Sequence, residues 1–195
     1  MRKPVQLDER PSSGMIEGEL RRREQVGAVK KAIWGAIRTL LIFAAASVLI
    51  STLLLPVIRV EQNSMLPTIS EGEVIVFVKV GSIDRGDIVA FHHNDQVLVK
   101  RVIATEGDKV DIDWQGVVSL NGTKLYEPYL NDGDTIECTV ELPLQVQSNQ
   151  FFLAGDNRGV SLDSRVREIG TIHKDRIIGR AVFRIWPLSK IGLPR

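Results

Sequence analysis

Three clusters after residue 60 carry residue types that together could break an amide bond. Ser64 lies in Gln62-Asn63-Ser64-Met65-Leu66-Pro67-Thr68. A serine hydroxyl becomes a nucleophile only with a base within hydrogen-bond reach and donors aimed at the oxyanion it creates. Taken alone, a serine ahead of a Met-Leu-Pro turn reads as a solvated loop residue. The histidines are poor bases for it. His92 and His93 are adjacent, so a strand points them to opposite faces, and His173 stands in a polar stretch.

Lys100 is the stronger candidate, because it sits inside Val97-Leu98-Val99-Lys100-Arg101-Val102-Ile103-Ala104. Strand alternation puts Leu98, Lys100 and Val102 on one face and Val97, Val99, Arg101 and Ile103 on the other, so one of the two cations must lie on a largely apolar face. To act as a base near neutral pH a lysine must fall from about 10.4 to about 7 or 8, and burial against apolar groups can supply that shift. The alternative is a solvated lysine on an edge strand. The third cluster, Gly155-Asp156-Asn157-Arg158-Gly159-Val160-Ser161-Leu162-Asp163-Ser164-Arg165, reads either as an ordinary turn or as a hydrogen-bonded scaffold that could position a neutral amine.

The elements that must carry these clusters can be read from charge and periodicity. Residues 1–38 hold nine Lys/Arg against five Asp/Glu, and residues 59–195 hold sixteen against nineteen. Between them, Thr39 to Ile58 is uncharged and mostly apolar. Twenty helical residues at about 1.5 Å each reach roughly 30 Å, the thickness of a hydrocarbon core. The stretch ends in Leu53-Leu54-Leu55-Pro56-Val57-Ile58, without the small-residue cleavage site of a secretory signal, so it reads as an uncleaved anchor. Six basic residues from Arg21 to Arg38 precede it and only Arg59 follows closely, which puts the N-terminus in the cytoplasm and the rest outside. The expected divisions are a cytoplasmic tail over 1–38, a transmembrane helix over 39–58 and an extracytoplasmic β-rich domain over 59–195.

After the anchor, apolar runs are short and bounded by turn residues: Glu73–Val80, Asp87–Phe91, Val97–Ala104, Lys109–Asp113, Val117–Leu120, Ile136–Leu142, Gln150–Leu153 and Ile177–Trp186. Asn121-Gly122 between Leu120 and Thr123 has the chemistry of a type I′ hairpin turn. Gly81, Gly86, Gly107, Gly133 and Gly155 punctuate the remainder. The expected fold is mainly β, a compact, partly open barrel-like catalytic domain preceded by one transmembrane helix, with Trp114 to Asn149 as a protruding hairpin region. A net charge of +1 with no basic run interleaved with aromatics argues against nucleic acid as a partner. Cys138 is alone, so neither an internal disulfide nor a cysteine-based zinc site can form.

In order along the chain, these segments resemble the sequence boxes of bacterial type I signal peptidases. Asn63 to Thr68 is similar to the nucleophile box, Gly86 to Phe91 to a structural box, Lys100-Arg101-Val102 with Gly107 to Val110 to the general-base box, and Gly155 to Arg165 to the last box. The resemblance covers about residues 62–186. It implies Ser64 as nucleophile, Lys100 as general base, Ser161 as a hydroxyl orienting the Lys100 amine, and supporting ion pairs Arg101 with Asp156 and Arg165 with Asp163. Many members carry a serine two residues before the nucleophile to help bind the oxyanion; here that position is Gln62, leaving an amide N–H and the Ser64 backbone N–H as donors. Gly159 and Val160 also replace residues that are commonly more polar.

Neither metal nor organic cofactor is implied. The substrates implied are exported preproteins whose signal peptides end in an Ala-x-Ala-like site, and the second partner is the lipid bilayer. Phe183, Trp186, Leu188 and Ile191 are candidates for touching lipid, or equally for C-terminal packing. Two other readings compete: a self-cleaving repressor of related Ser-Lys chemistry, which the anchor and the lack of a DNA-binding region oppose, and an inactive membrane-tethered assembly factor or chaperone, which retention of both Ser64 and Lys100 opposes.

Overall fold

A computed structural model of the chain describes residues 13–79, 81–130 and 138–194. Residues 1–12 of the expected tail, Val80, and residues 131–137 with Gly133 and the start of the Ile136–Leu142 run lie outside the described residues. The chain divides into two units, meeting at Ser51 and Thr52.

Helix α1 spans Ser13–Leu54, so it begins inside the stretch read as a tail. Its portion Gly27–Leu54 is long and apolar enough to cross a membrane, at about 42 Å by helical rise. Pro56 disfavours helical backbone at the residue before it, and the helix stops at Leu54. Val57 and Ile58, which the sequence reading put at the end of the span, instead begin strand β1, Val57–Arg59.

The second unit is built from antiparallel strands. β2 (Val74–Val78), β3 (Ile88–His93), β4 (Gln96–Ala104), β9 (Gln150–Ala154), β10 (Ile172–His173) and β11 (Ile177–Trp186) join β1 in a seven-stranded sheet ordered β1-β2-β11-β3-β4-β9-β10. β5 (Lys109–Ile112), β6 (Val118–Leu120), β7 (Thr123–Lys124) and β8 (Leu144–Gln145) form a second sheet ordered β7-β6-β5-β8. Three of its strands, β6, β7 and β8, fall in the Trp114 to Asn149 region expected to protrude as a hairpin, and β5 precedes it. The Asn121-Gly122 turn is as the sequence predicts: both residues have positive φ, 51° and 81°, and Leu120 pairs with Thr123 across it.

Alternation along β3 feeds two different cores. Ile88 and Ala90 pack with Met65, Ile69, Ile75 and Phe77, while Val89 and Phe91 pack with Leu98, Val102 and Leu153. A third core, around Ile103, Val110, Leu120 and Phe152, underlies the smaller sheet. β4 runs through the middle and is buried from Leu98 to Ala104, so both of its cations are enclosed. The expectation that one of Lys100 and Arg101 lies on a largely apolar face is met by Lys100, and Arg101 on the other face is buried as well. The Ile136–Leu142 run is corrected: its described part, Cys138 to Leu142, forms no strand. The Thr139 and Val140 N–H groups donate to the Arg165 carbonyl, at 2.9 and 3.2 Å, instead of to a sheet neighbour.

Candidate active site

Ser64 is held in the loop between β1 and β2. The loop is pinned by Met65 and Ile69, both fully buried, and by the Ile69 N–H donating to the Met65 carbonyl at 2.8 Å. Two buried apolar anchors after the polar serine explain how a loop fixes its side chain. Lys100 comes from the centre of β4, where it is 0% exposed. Its Nζ is hydrogen-bonded to Ser64 Oγ at 2.6 Å.

The Lys100 amine is surrounded by competing influences. Burial pushes its pKa down, Asp163 pushes it up, Arg165 down and Asp156 up, and burial prevails to leave it at about 8 instead of 10.5. The two carboxylates are kept from acting fully on Lys100 because each is gripped by an arginine. Arg101 Nε and Nη2 donate to Asp156 at 2.8 and 2.6 Å. Arg165 Nε and Nη2 donate to Asp163 at 2.7 and 2.6 Å. Burial alone would raise the Asp163 pKa, but the Arg165 bonds and charge hold it below the usual carboxylate range. Arg101 is likewise opposed by burial and supported by Asp156, with its pKa pushed up.

The pairings expected from the sequence, Arg101 with Asp156 and Arg165 with Asp163, are therefore present as geometry. Ser161 Oγ is buried without a well-formed hydrogen bond and makes none to Lys100. It lies beside Gly155 and near enough to Asp163 to help keep that carboxylate ionised. Gln62 is exposed and lines a cleft of about 470 Å³ together with Ser64, Val57 to Glu61 and Asp95 to Val99. Among the described residues no group of three His, Cys, Asp or Glu is placed to hold a metal ion.

Several contributors escaped the sequence reading. Asn157 donates its N–H to the Ser64 carbonyl at 3.0 Å and its side-chain amide to the Asn63 carbonyl at 3.1 Å. The Thr68 hydroxyl donates to Asp156, tying the nucleophile loop to the Arg101 pair. Arg184 on β11 donates to the Thr68 carbonyl at 3.0 Å and pairs with buried Glu73 at 2.9 Å. The only sequence signal for them is a charge at the start of one apolar run, Glu73, and a charge inside another, Arg184, and that does not say which charges meet.

Comparison with known proteins bears on this arrangement. The family model described as signal peptidase, peptidase S26, matches residues 33–186. Signal peptidase IB of Staphylococcus aureus (strain COL) is 37% identical over 151 residues, covering 67% of this chain and 78% of that protein. Signal peptidase I of Bacillus licheniformis is 31% identical over 175 residues, covering 83% of this chain and 93% of that one. Among solved structures, a signal peptidase I from Enterococcus faecalis V583 aligns at 27% identity with a TM-score of 0.42, covering 52% of this chain and 97% of the other. Because the family match takes in β1 through β11, and so both Ser64 and Lys100, the chain belongs to the signal peptidase family, peptidase S26.

Proposed function

We propose that Ser64 is the nucleophile and Lys100 the general base of this serine endopeptidase, whose reaction is the removal of signal peptides from preproteins. The observation that carries the assignment is the 2.6 Å hydrogen bond between Ser64 Oγ and a fully buried Lys100 amine whose pKa lies at about 8. Neutral Lys100 takes the Ser64 proton as Oγ attacks the scissile carbonyl, gives it to the leaving amine, and then takes a proton from the water that hydrolyses the acyl-enzyme. The Ser64 N–H, with no protein acceptor among the described residues, and the Gln62 amide are the proposed oxyanion donors. Arg101, Asp156, Asp163 and Arg165 support the amine. A part for Ser161 in orienting it rests on the family resemblance.

The cleft beside Ser64 supports an extended substrate. β1 is a terminal strand of its sheet, and β4 pairs with β9 only from Arg101 onward, so Gln96 to Lys100 have an unused edge. A peptide adding to these edges gains main-chain hydrogen bonds, and the apolar lining from Ile58, Val60, Val97 and Leu98 suits the small side chains of an Ala-x-Ala site. We assign the N-terminus to the cytoplasm, the apolar part of α1, Gly27–Leu54, to the membrane and the β-rich unit to the outside. Phe183, Trp186, Leu188 and Ile191, all well exposed, are the proposed lipid contacts.

The test is cleavage of a preprotein bearing an Ala-x-Ala site by the detergent-solubilised enzyme, Ser64→Ala and Lys100→Ala. Both variants are expected to fold and to lose roughly four orders of magnitude or more in rate, as enzymes with a disabled nucleophile or base do. Undiminished cleavage by either one sinks the dyad. An inactive assembly factor is not favoured, since a binding module has no use for a serine and a buried lysine in hydrogen-bond contact.

A further inference from the structure

The segment between β7 and β8 leaves the smaller sheet and brings a carboxylate and an aromatic ring against Arg158 and against Arg101 of the larger sheet. Although outside any strand, the Glu127 side chain is only 7% exposed. Both terminal nitrogens of Arg158, itself buried, donate to its carboxylate. The Tyr129 hydroxyl donates to the same group at 2.7 Å, and the Tyr129 ring lies 4.1 Å from the Arg101 guanidinium, in cation–π contact. One short segment thus engages two arginines that come from different parts of the site.

Each arginine leads directly to one half of the dyad. Arg158 Nε donates at 3.1 Å to the carbonyl of Gly155, and Gly155 is packed so closely that an added Cβ would come within 2.4 Å of the Ser64 carbonyl oxygen. Arg101 follows Lys100 on β4 and grips Asp156, which receives the Thr68 hydroxyl from the nucleophile loop. We propose that Glu127 and Tyr129 are positioning residues for peptide-bond cleavage, a clasp that keeps the Ser64 loop and the Lys100 strand at hydrogen-bond distance. The proposal rests on the dyad reading above. Neither residue is among those that line the cleft, so the clasp acts on the chemical step and not on substrate binding. A buried ion pair contributes little net stability, whereas displacement of reacting groups by about 1 Å costs rate steeply.

The experiment uses the full-length enzyme in detergent and a soluble peptide substrate, with Ser64→Ala as reference and activity normalised to the folded fraction from a thermal melt. Glu127→Gln keeps the shape and removes the charge that Arg158 needs. Its expected kcat is lower by roughly ten- to a hundredfold, with KM within about twofold. As the amine gains water, the acid limb of its kcat/KM profile moves to higher pH, which a merely stabilising residue would not cause. Wild-type kcat together with an unmoved acid limb overturns the clasp. If Glu127→Gln does not fold, Tyr129→Phe and Tyr129→Leu decide: the phenyl ring preserves the Arg101 contact and the leucine does not, so the leucine variant must have the lower kcat and the higher acid limb, and equality overturns the clasp. Cleavage by Ser64→Ala would instead remove the dyad itself, and the clasp with it; an inert Ser64→Ala beside unaffected clasp variants removes the clasp alone.

Discussion

Lys100 is buried where its charged form is poorly served, because the nearby carboxylates are already committed to Arg101 and Arg165. That arrangement couples activity to stability with opposite consequences. Activity needs the neutral amine, so the acid limb of kcat/KM is expected near pH 8, with rate falling as pH drops below it. Stability carries a penalty for the same reason. Between the folded value of about 8 and the unfolded value near 10.5 the unfolded chain binds more protons, so stability rises with pH across that window. Below pH 8 the penalty is complete, about 3 kcal/mol for a shift of this size, and above pH 10.5 it is gone. Lys100→Met should therefore be inactive but more stable at pH 7, with a gain in Tm that shrinks as the melt is repeated toward pH 10.5. A methionine variant that melts at or below wild type at pH 7 would show that the amine is not held in the environment described.

At the scale of elements, the site depends on one turn packed against one loop. Gly155 has no room for a side chain: a Cβ there would lie 2.2 Å from Ser161 Oγ and 2.4 Å from the Ser64 carbonyl oxygen, and the second is backbone that cannot swing away. Gly155→Ala is expected to push the nucleophile loop off the Lys100 strand and lower kcat by about a hundredfold. Peptide cleavage beside a thermal melt checks this, and an alanine variant with wild-type kcat would mean the loop has slack. Elements that declare themselves through their own residues were legible beforehand: the apolar β4 and β11 runs, the Asn121-Gly122 hairpin, and the apolar part of α1. So were Ser64 and Lys100 as neighbours, through an ordered set of boxes that no single motif would have justified. Two-residue strands such as β8 and β10 were not legible, because they exist only through partners, as when Ile172 pairs with Phe151. The burial of Arg101 and the role of Asn157 were hidden for a related reason. Both are fixed by contacts to residues more than fifty positions away in sequence, one of them through backbone atoms whose bonding is independent of side-chain type.

For the whole molecule, the question is what an apolar helix contributes to an enzyme whose catalytic groups all lie in the other unit. The family is membrane-anchored and signal peptides are themselves apolar segments, so on the reading proposed above enzyme and substrate share one bilayer. Confinement to a shared surface raises their effective concentration without any new contact. The gain belongs to encounter, not to the bond-breaking step, and it separates cleanly in vesicles. Full-length enzyme reconstituted with a preprotein in the same vesicles is expected to cleave it far faster than the same amounts held in separate vesicles. Hydrolysis of a water-soluble peptide should not distinguish the two preparations. Fusing the shared vesicles with empty lipid, at constant total protein, should then lower the preprotein rate in proportion to the added surface while leaving peptide hydrolysis unchanged. If dilution by lipid has no effect on preprotein cleavage, two-dimensional encounter is not what the helix provides, and its contribution must instead come from a direct contact with the substrate's apolar segment.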